Sequence, residues 1–388
     1  MSVTAPKGFV ASGVYCGIRK TEKRDLAIVR SLEPATGAGM FTINRVQAAP
    51  VLLCKEHLGA AQPQAVVVNS GNANAATGAA GLAHAHATAA TAAQVLGVAP
   101  EEVLVLSTGV IGQPLPIANV LNGVTHAAVQ LTRSGGGAAA EAIMTTDTYA
   151  KEAVAHGTGF TVGGMAKGSG MIHPQMATML AVLTTDYPLD AGEAHAFLKP
   201  AVDVSFNAIS VDGECSTNDA VILLANGASG VERTPESDLQ FTACVKKVCG
   251  ELAKQIVADG EGASVVAEIA VRGAATDVEA RAIAERVATS PLVKTALFGH
   301  DANWGRIAAA AGSARVADGF AALDPDLLSI WIDRVPVFVD GAPTGDEPVL
   351  TNGNCAIEID LALGDGTATY LTTDLSYDYV KINAEYRT

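Results

Sequence analysis

The chain has 388 residues, 49% hydrophobic and 17% charged, a balance that specifies a globular protein with a large core and excludes a disordered one. A formal net charge of −15 with no basic run excludes nucleic acid and anionic membrane surfaces as expected partners, because both reward clustered Lys and Arg. Met1 to Gly8 holds no apolar signal segment and no stretch approaches the roughly 20 apolar residues of a membrane helix, so the cytoplasm is the expected location.

Taken in order, the first part alternates short apolar strands, Ala65 to Asn69 and Val103 to Leu106, with alanine-rich helices over 79–96 and 115–131. That alternation predicts mixed α/β layers. Asn69-Ser70-Gly71-Asn72-Ala73-Asn74 reads as an Asn/Gly turn, and Ser134-Gly135-Gly136-Gly137 as a flexible connection. The apolar run from Met176 to Leu183 predicts a strand continuing to Thr185, followed by a helix over 192–202 and a strand over 221–225. From about Pro235 the pattern changes to a smaller α/β unit, with helices over 238–257 and 276–288 and strands over 329–332, 335–339 and 356–361. The expected division is therefore a main domain over 1–235 and a smaller one over 236–388.

Six cysteines, at 16, 54, 215, 244, 249 and 355, show no paired spacing and read as reduced, mostly buried residues. His84 and His86, two apart on a helix, point to different faces and cannot grip one ion together, so no metal is expected.

The stretch Lys167-Gly168-Ser169-Gly170-Met171-Ile172-His173-Pro174-Gln175-Met176-Ala177-Thr178 carries the chemistry. A threonine entering an apolar run is commonly a strand residue. The other reading is a self-cutting junction between Ala177 and Thr178: cleavage frees the threonine α-amine, which titrates at about 8 and serves as base for its own hydroxyl. Glycines at 163, 164, 168 and 170 suggest a loop whose N–H groups, with Lys167, approach a reacting carbonyl. Lys167 itself is either a solvated loop lysine or a cation set against a substrate carboxylate.

These residues, together with Ser107-Thr108-Gly109-Val110-Ile111-Gly112, Ile143-Met144-Thr145-Thr146-Asp147, Ser216-Thr217-Asn218-Asp219, Asp259-Gly260-Glu261-Gly262, Leu292-Val293-Lys294 and Asn303-Trp304-Gly305-Arg306, make the chain resemble the ornithine acetyltransferases, or glutamate N-acetyltransferases. The resemblance runs nearly end to end. It implies an α/β/β/α sandwich with a smaller α/β companion domain, self-cleavage into 1–177 and 178–388, and assembly as two copies of each piece. It also implies that Thr178 takes acetyl from N-acetylornithine as an ester and passes it to glutamate, with no cofactor. Acetyl-CoA is an alternative donor that no residue decides.

By the same resemblance Thr108 and Gly109 form the oxyanion hole, and Thr145, Lys167, Glu261, Asn383 and Thr388 contact substrate. Considered alone, Ser107-Thr108-Gly109 is an ordinary turn, Thr145 a cap, Glu261 a solvated acid on a turn and the tail a frayed terminus. Two departures stand out: Ser264-Val265-Val266 replaces a threonine and a basic residue, and Ala302 replaces a proline. The competing function is a self-processing aminopeptidase-like amidohydrolase that passes the acyl group to water; a binding protein that never cuts itself is a third.

Overall fold

A computed structural model describes residues 2–173, 179–317 and 319–385. In chain order the elements are β1 (Phe9–Val14), β2 (Leu26–Ser31), β3 (Thr36–Phe41), α1 (Ala49–Ala60), β4 (Ala65–Asn72), α2 (Gly78–Leu96), β5 (Val103–Val110), α3 (Ile117–Val129), α4 (Gly136–Ala142), β6 (Lys151–His156), β7 (Thr161–Lys167), β8 (Leu180–Thr185) and α5 (Ala194–Asp203). There follow β9 (Ile209–Ser210), β10 (Ala220–Ala225), α6 (Pro235–Ala258), β11 (Val265–Ala274), α7 (Asp277–Ala288), α8 (Pro291–Phe298), α9 (Trp304–Ala311), β12 (Arg315–Val316), β13 (Gly319–Phe320), β14 (Ser329–Ile332), β15 (Val335–Val339), β16 (Ala342–Pro343), β17 (Gly353–Asp360), β18 (Gly366–Thr373) and α10 (Tyr377–Glu385).

Contacts divide the described chain into two units, one holding residues up to Asn207 with Glu214–Ile256, the other Ala208–Gly213 and the described residues from Val257 to Glu385. The first contains two sheets, ordered β1-β2-β4-β5 and β3-β10-β8-β7-β6. Alternation of side chains along a strand explains their layering. Val66, Val68, Leu104 and Leu106 face one way and meet Met165, Val182, Ile222 and Leu224 of the second sheet in a shared core. Their neighbours Val67, Val103 and Val105 face the other way, against Ala85, Ala89, Ala92 and Val124 of α2 and α3. With both faces covered, β4 and β5 read as continuous apolar runs, as strands buried on two sides do. On the far side, Val248 and Leu252 of α6 come so close to Gly164 in β7 that a side chain there would collide with them. Helices, sheet, sheet, helices is the expected α/β/β/α order.

The boundary between units falls near the end of α6, where the sequence pattern places it at 235. The reason is packing: Phe241 of α6 stacks on Tyr187 with ring centroids 4.6 Å apart and meets Phe160 at 6.0 Å, tying the helix to the first unit. Burying each such ring contributes about 1.5–3 kcal/mol.

The Ser134–Gly137 run corrects the expectation of a flexible link. Gly136 opens α4, and a Cβ on Gly135 would stand 1.8 Å from the Ala11 carbonyl oxygen. Gly135 is there for close approach of the helix start to β1.

The second unit carries a sheet ordered β16-β15-β14-β17-β11-β18-β9. Ile269, Val271, Ile330, Ile357 and Ile359 on one face pack against Ala280, Ile283 and Val287 of α7. Alternation in β11, buried and exposed by turns from Val265 to Val271, matches a sheet covered on one face. Trp304 stacks on Phe338 at 4.7 Å and is a packing residue.

Candidate functional site

Lys167 is the last residue of β7, so the glycine-rich segment expected as a loop is partly strand: Gly163 and Gly164 pair with Val154 and Ala153 of β6. Lys167 is only 2% exposed, which removes the solvated reading. Its Nζ donates to Thr108 Oγ1 at 3.4 Å, a long contact that joins two of the expected site residues.

Thr108 lies in β5 beside Ser70 of β4, and the register of the two strands shifts at Gly71 and Asn72. Gly109 is required there. Its φ is +131°, and a Cβ would sit 2.3 Å from the carbonyl carbon of Gly71 and 2.5 Å from the nitrogen of Asn72. The turn is held by polar side chains that the sequence places far apart. Ser107 Oγ donates to Asn69 Oδ1 at 2.6 Å, and Asn218 Nδ2 donates to the carbonyls of Ala73 at 2.6 Å and Ser107 at 2.9 Å. The Asn69–Asn74 segment is thus more than a plain turn.

Asp147 is the hub that motif reading passed over. Its Oδ1 accepts from Lys151 Nζ at 2.6 Å and from Gly168 N at 2.7 Å, while Oδ2 accepts from Thr145 N at 2.8 Å. The Asp147 and Lys151 side chains are both fully buried. Burial pushes the Asp147 carboxyl upward, but the charges of Lys167 and Lys151 and the Gly168 N–H outweigh it and hold the group at about 2. At this turn the accepting side chain is Asp147, which takes both the Thr145 N–H and, at 3.4 Å, its hydroxyl; with Asp147, Tyr15, Arg19 and Arg24, Thr145 lines a cavity of about 660 Å³. Thr145, Asp147, Gly168, Lys167 and Thr108 form one connected run of contacts within the first unit.

Thr178 and Ala177 lie outside the described residues, as does Thr388. The chain resumes at Met179, whose N–H donates to Asp219 Oδ1 at 3.0 Å and whose carbonyl accepts from Ala220 N at 3.2 Å.

Glu261 and Asn383 belong to the second unit, where they meet: Asn383 Nδ2 donates to Glu261 Oε2 at 2.9 Å. Glu261 is half-buried on its turn, and the adjacent Gly262 has φ +66° with no room for a Cβ, which would stand 2.4 Å from Tyr379 N. Ser376 Oγ donates to Gly262 O at 2.6 Å and fixes the start of α10. The described tail is a helix bonded to the Glu261 turn. At the departure noted above, Ser264 donates through both N and Oγ to Asp374, at 2.9 and 2.6 Å. Lys294 is also buried there, its Nζ donating to Thr372 Oγ1 at 3.1 Å, to Thr373 Oγ1 at 3.2 Å and to the Thr373 carbonyl. Burial lowers its pKa to about 8, against the opposing pull of Asp212 and Asp374.

Among the described residues one group, Glu56, His57 and His86, brings candidate ligand atoms within 4.8 Å of one another. His57 Nδ1 is 2.8 Å from the Val103 carbonyl, the bond that orients the ring, and Glu56 is exposed.

The model of the ArgJ family matches residues 10–388. A protein of Symbiobacterium thermophilum, called arginine biosynthesis bifunctional protein ArgJ, is 46% identical over 100% of this chain and 98% of its own length. A protein of the same description from Gloeobacter violaceus is 47% identical, over 100% of this chain and 98% of its own. Among solved structures, ornithine acetyltransferase of Mycobacterium tuberculosis in complex with ornithine is 45% identical over 45% of this chain and 94% of that one, with a TM-score of 0.43.

Proposed function

The chain belongs to the ArgJ family, and from that premise we propose that it cuts itself between Ala177 and Thr178 and transfers acetyl from N-acetylornithine to glutamate through acetyl-Thr178. The observation that carries the reading is the buried Lys167–Thr108 contact at the end of β7, eleven residues along the chain from the nucleophile. A charged lysine has only donors. When Lys167 donates to Thr108 Oγ1, the Thr108 hydroxyl hydrogen is left to point elsewhere, toward an acyl oxygen gaining negative charge. With the Gly109 N–H it supplies the pair of donors such a hole needs.

In the first half-reaction the Thr178 amine takes the hydroxyl proton, Oγ attacks the acetyl carbon, and the N2–C bond of acetylornithine breaks as that proton passes to the departing ornithine amine. In the second half the α-amine of glutamate attacks the ester and Thr178 recovers its proton. By the family resemblance Thr145, Lys167, Glu261, Asn383 and Thr388 would contact substrate, the Glu261 carboxylate suiting the δ-ammonium of ornithine. We also propose acetyl-CoA as a second donor, the relatives being described only as bifunctional. We further propose a cytoplasmic enzyme of two copies of each fragment.

The test is acetylornithine turnover with and without glutamate, paired with the mass of the purified protein. Two fragments, with ornithine release that requires glutamate, are expected. Equal acetate formation in both assays would replace transfer with hydrolysis, and an unbroken active chain would remove the Thr178 mechanism. Glutamate acetylation with acetyl-CoA alone tests the second donor.

A further inference from the structure

His57 sits in the last turn of α1, only 3% exposed, and its Nδ1 lies 2.8 Å from the Val103 carbonyl. A carbonyl oxygen only accepts, so Nδ1 carries the hydrogen and the neutral ring keeps its lone pair on Nε2. That second nitrogen has no hydrogen-bond partner among the described residues. His86 of α2 stands next to the ring, the two centroids 5.9 Å apart. Its own Nε2 is 3.7 Å from Glu56 Oε2, a spacing too long for a hydrogen bond. The spacing is close to the roughly 3.3 Å that separates two ligands bound at about 2.0–2.2 Å to one tetrahedral zinc. Ligand atoms of Glu56, His57 and His86 all lie within 4.8 Å of one another.

We propose that these three residues bind one divalent transition-metal ion of the zinc type, and that the ion braces α1 against α2. Two imidazoles and a carboxylate suit zinc, whereas calcium and magnesium take oxygen ligands. A backbone carbonyl holding the far nitrogen is the usual support of a metal-binding histidine, because it fixes both tautomer and ring direction. His57 is therefore preset. Glu56 is exposed and His86 half-buried, so both can rotate through the small distance by which the set closes, and water takes the fourth position from the solvent side. Val103 begins β5 and Thr108 lies five residues along it, roughly 16 Å at the rise of a strand, so the ion acts on the framework and not on the acyl group. Three elements meet at it: α1 and α2 by ligation, and β5 through the Val103 carbonyl. Spacing along the chain conceals the set, because His84 and His86 diverge on α2 while the partners of His86 sit on α1. The inference does not depend on the cut at Thr178.

The experiment titrates zinc into metal-stripped full-length protein by calorimetry, with cobalt as a spectroscopic substitute. Wild type should bind zinc with a dissociation constant below about 10 μM, and bound cobalt should show the intense visible absorption of a tetrahedral site. Glu56→Gln and His86→Ala should each weaken zinc binding by at least the roughly 10–100-fold that loss of a supporting group costs, and His86→Ala should lose the cobalt absorption. His84→Ala, on another face of the same helix, should bind as wild type does. Saturating zinc should raise the melting temperature of wild type and leave that of His86→Ala unchanged. Weaker wild-type binding, or equal binding by wild type, Glu56→Gln and His86→Ala, overturns the site. If metal-free His86→Ala already melts below wild type, Glu56→Gln decides, since an exposed side chain carries no packing.

Discussion

Lys151 in the first unit and Lys294 in the second are both buried amines, yet their partners differ in kind. Lys151 reaches the Asp147 carboxylate at 2.6 Å. Lys294 reaches threonine hydroxyls and a carbonyl, with Asp212 and Asp374 acting on its charge, and is lowered to about 8. A carboxylate in contact fixes charge in the interior; neutral dipoles hold the amine but leave its proton loose. The first arrangement suits a permanent electrostatic scaffold beside the Lys167–Thr108 contact, the second a group whose charge is set by its surroundings.

Asp147→Asn gives the strongest way to break this contrast. It leaves Lys151 and Lys167 buried without their carboxylate, and should cost about 3–5 kcal/mol in denaturant unfolding. A loss below about 1 kcal/mol would show that the scaffold is not held by that charge. Lys167→Ala removes the cation at Thr108 while Asp147 keeps Lys151; turnover should fall roughly 10²–10³-fold in steady-state assays of the cut protein. An unchanged rate would detach Lys167 from the reaction.

The pH predictions sharpen the same contrast, because the two groups respond at opposite ends of the scale. Unfolded Lys294 titrates at about 10.4 and the folded amine at about 8, so the unfolded chain binds more protons between those values and stability rises with pH across that window. Wild type should gain up to roughly 3 kcal/mol over Lys294→Met between pH 8 and 10.4, by paired chemical melts. For Asp147, held at about 2 when folded, the contribution is present above about pH 4 and is lost as pH falls toward 2. Its size is roughly 2 kcal/mol, and an acid unfolding curve shared by wild type and Asp147→Asn would contradict it.

Strands with both faces buried were legible because hydrophobic runs such as Val66-Val67-Val68 leave little else to be, and the alanine-rich helices followed their composition. The Ser134–Gly137 run misleads for a physical reason: glycine marks either freedom or crowding, and only the Ala11 carbonyl, more than a hundred residues earlier, tells which. Lys167 reads as a loop residue because the glycines before it hide the strand. Its pairing with Leu180 across β7 and β8 is long-range information. Asp147 lies within a motif named for its neighbours, and its importance appears only once burial removes water from around it. Glu261 and Asn383 were named separately through a family resemblance, while their mutual hydrogen bond needed coordinates.

The strand order of the second sheet has one further implication. A cut at 177/178 assigns β3, β6 and β7 to the leading fragment and β8 and β10 to the trailing one, with β8 and β10 lodged side by side between β7 and β3. Six residue pairs join Lys167 through Val162 to β8, and six more join β3 to β10. Severing the covalent thread therefore leaves the halves interleaved like the fingers of two hands, and parting them demands unravelling the sheet from its middle.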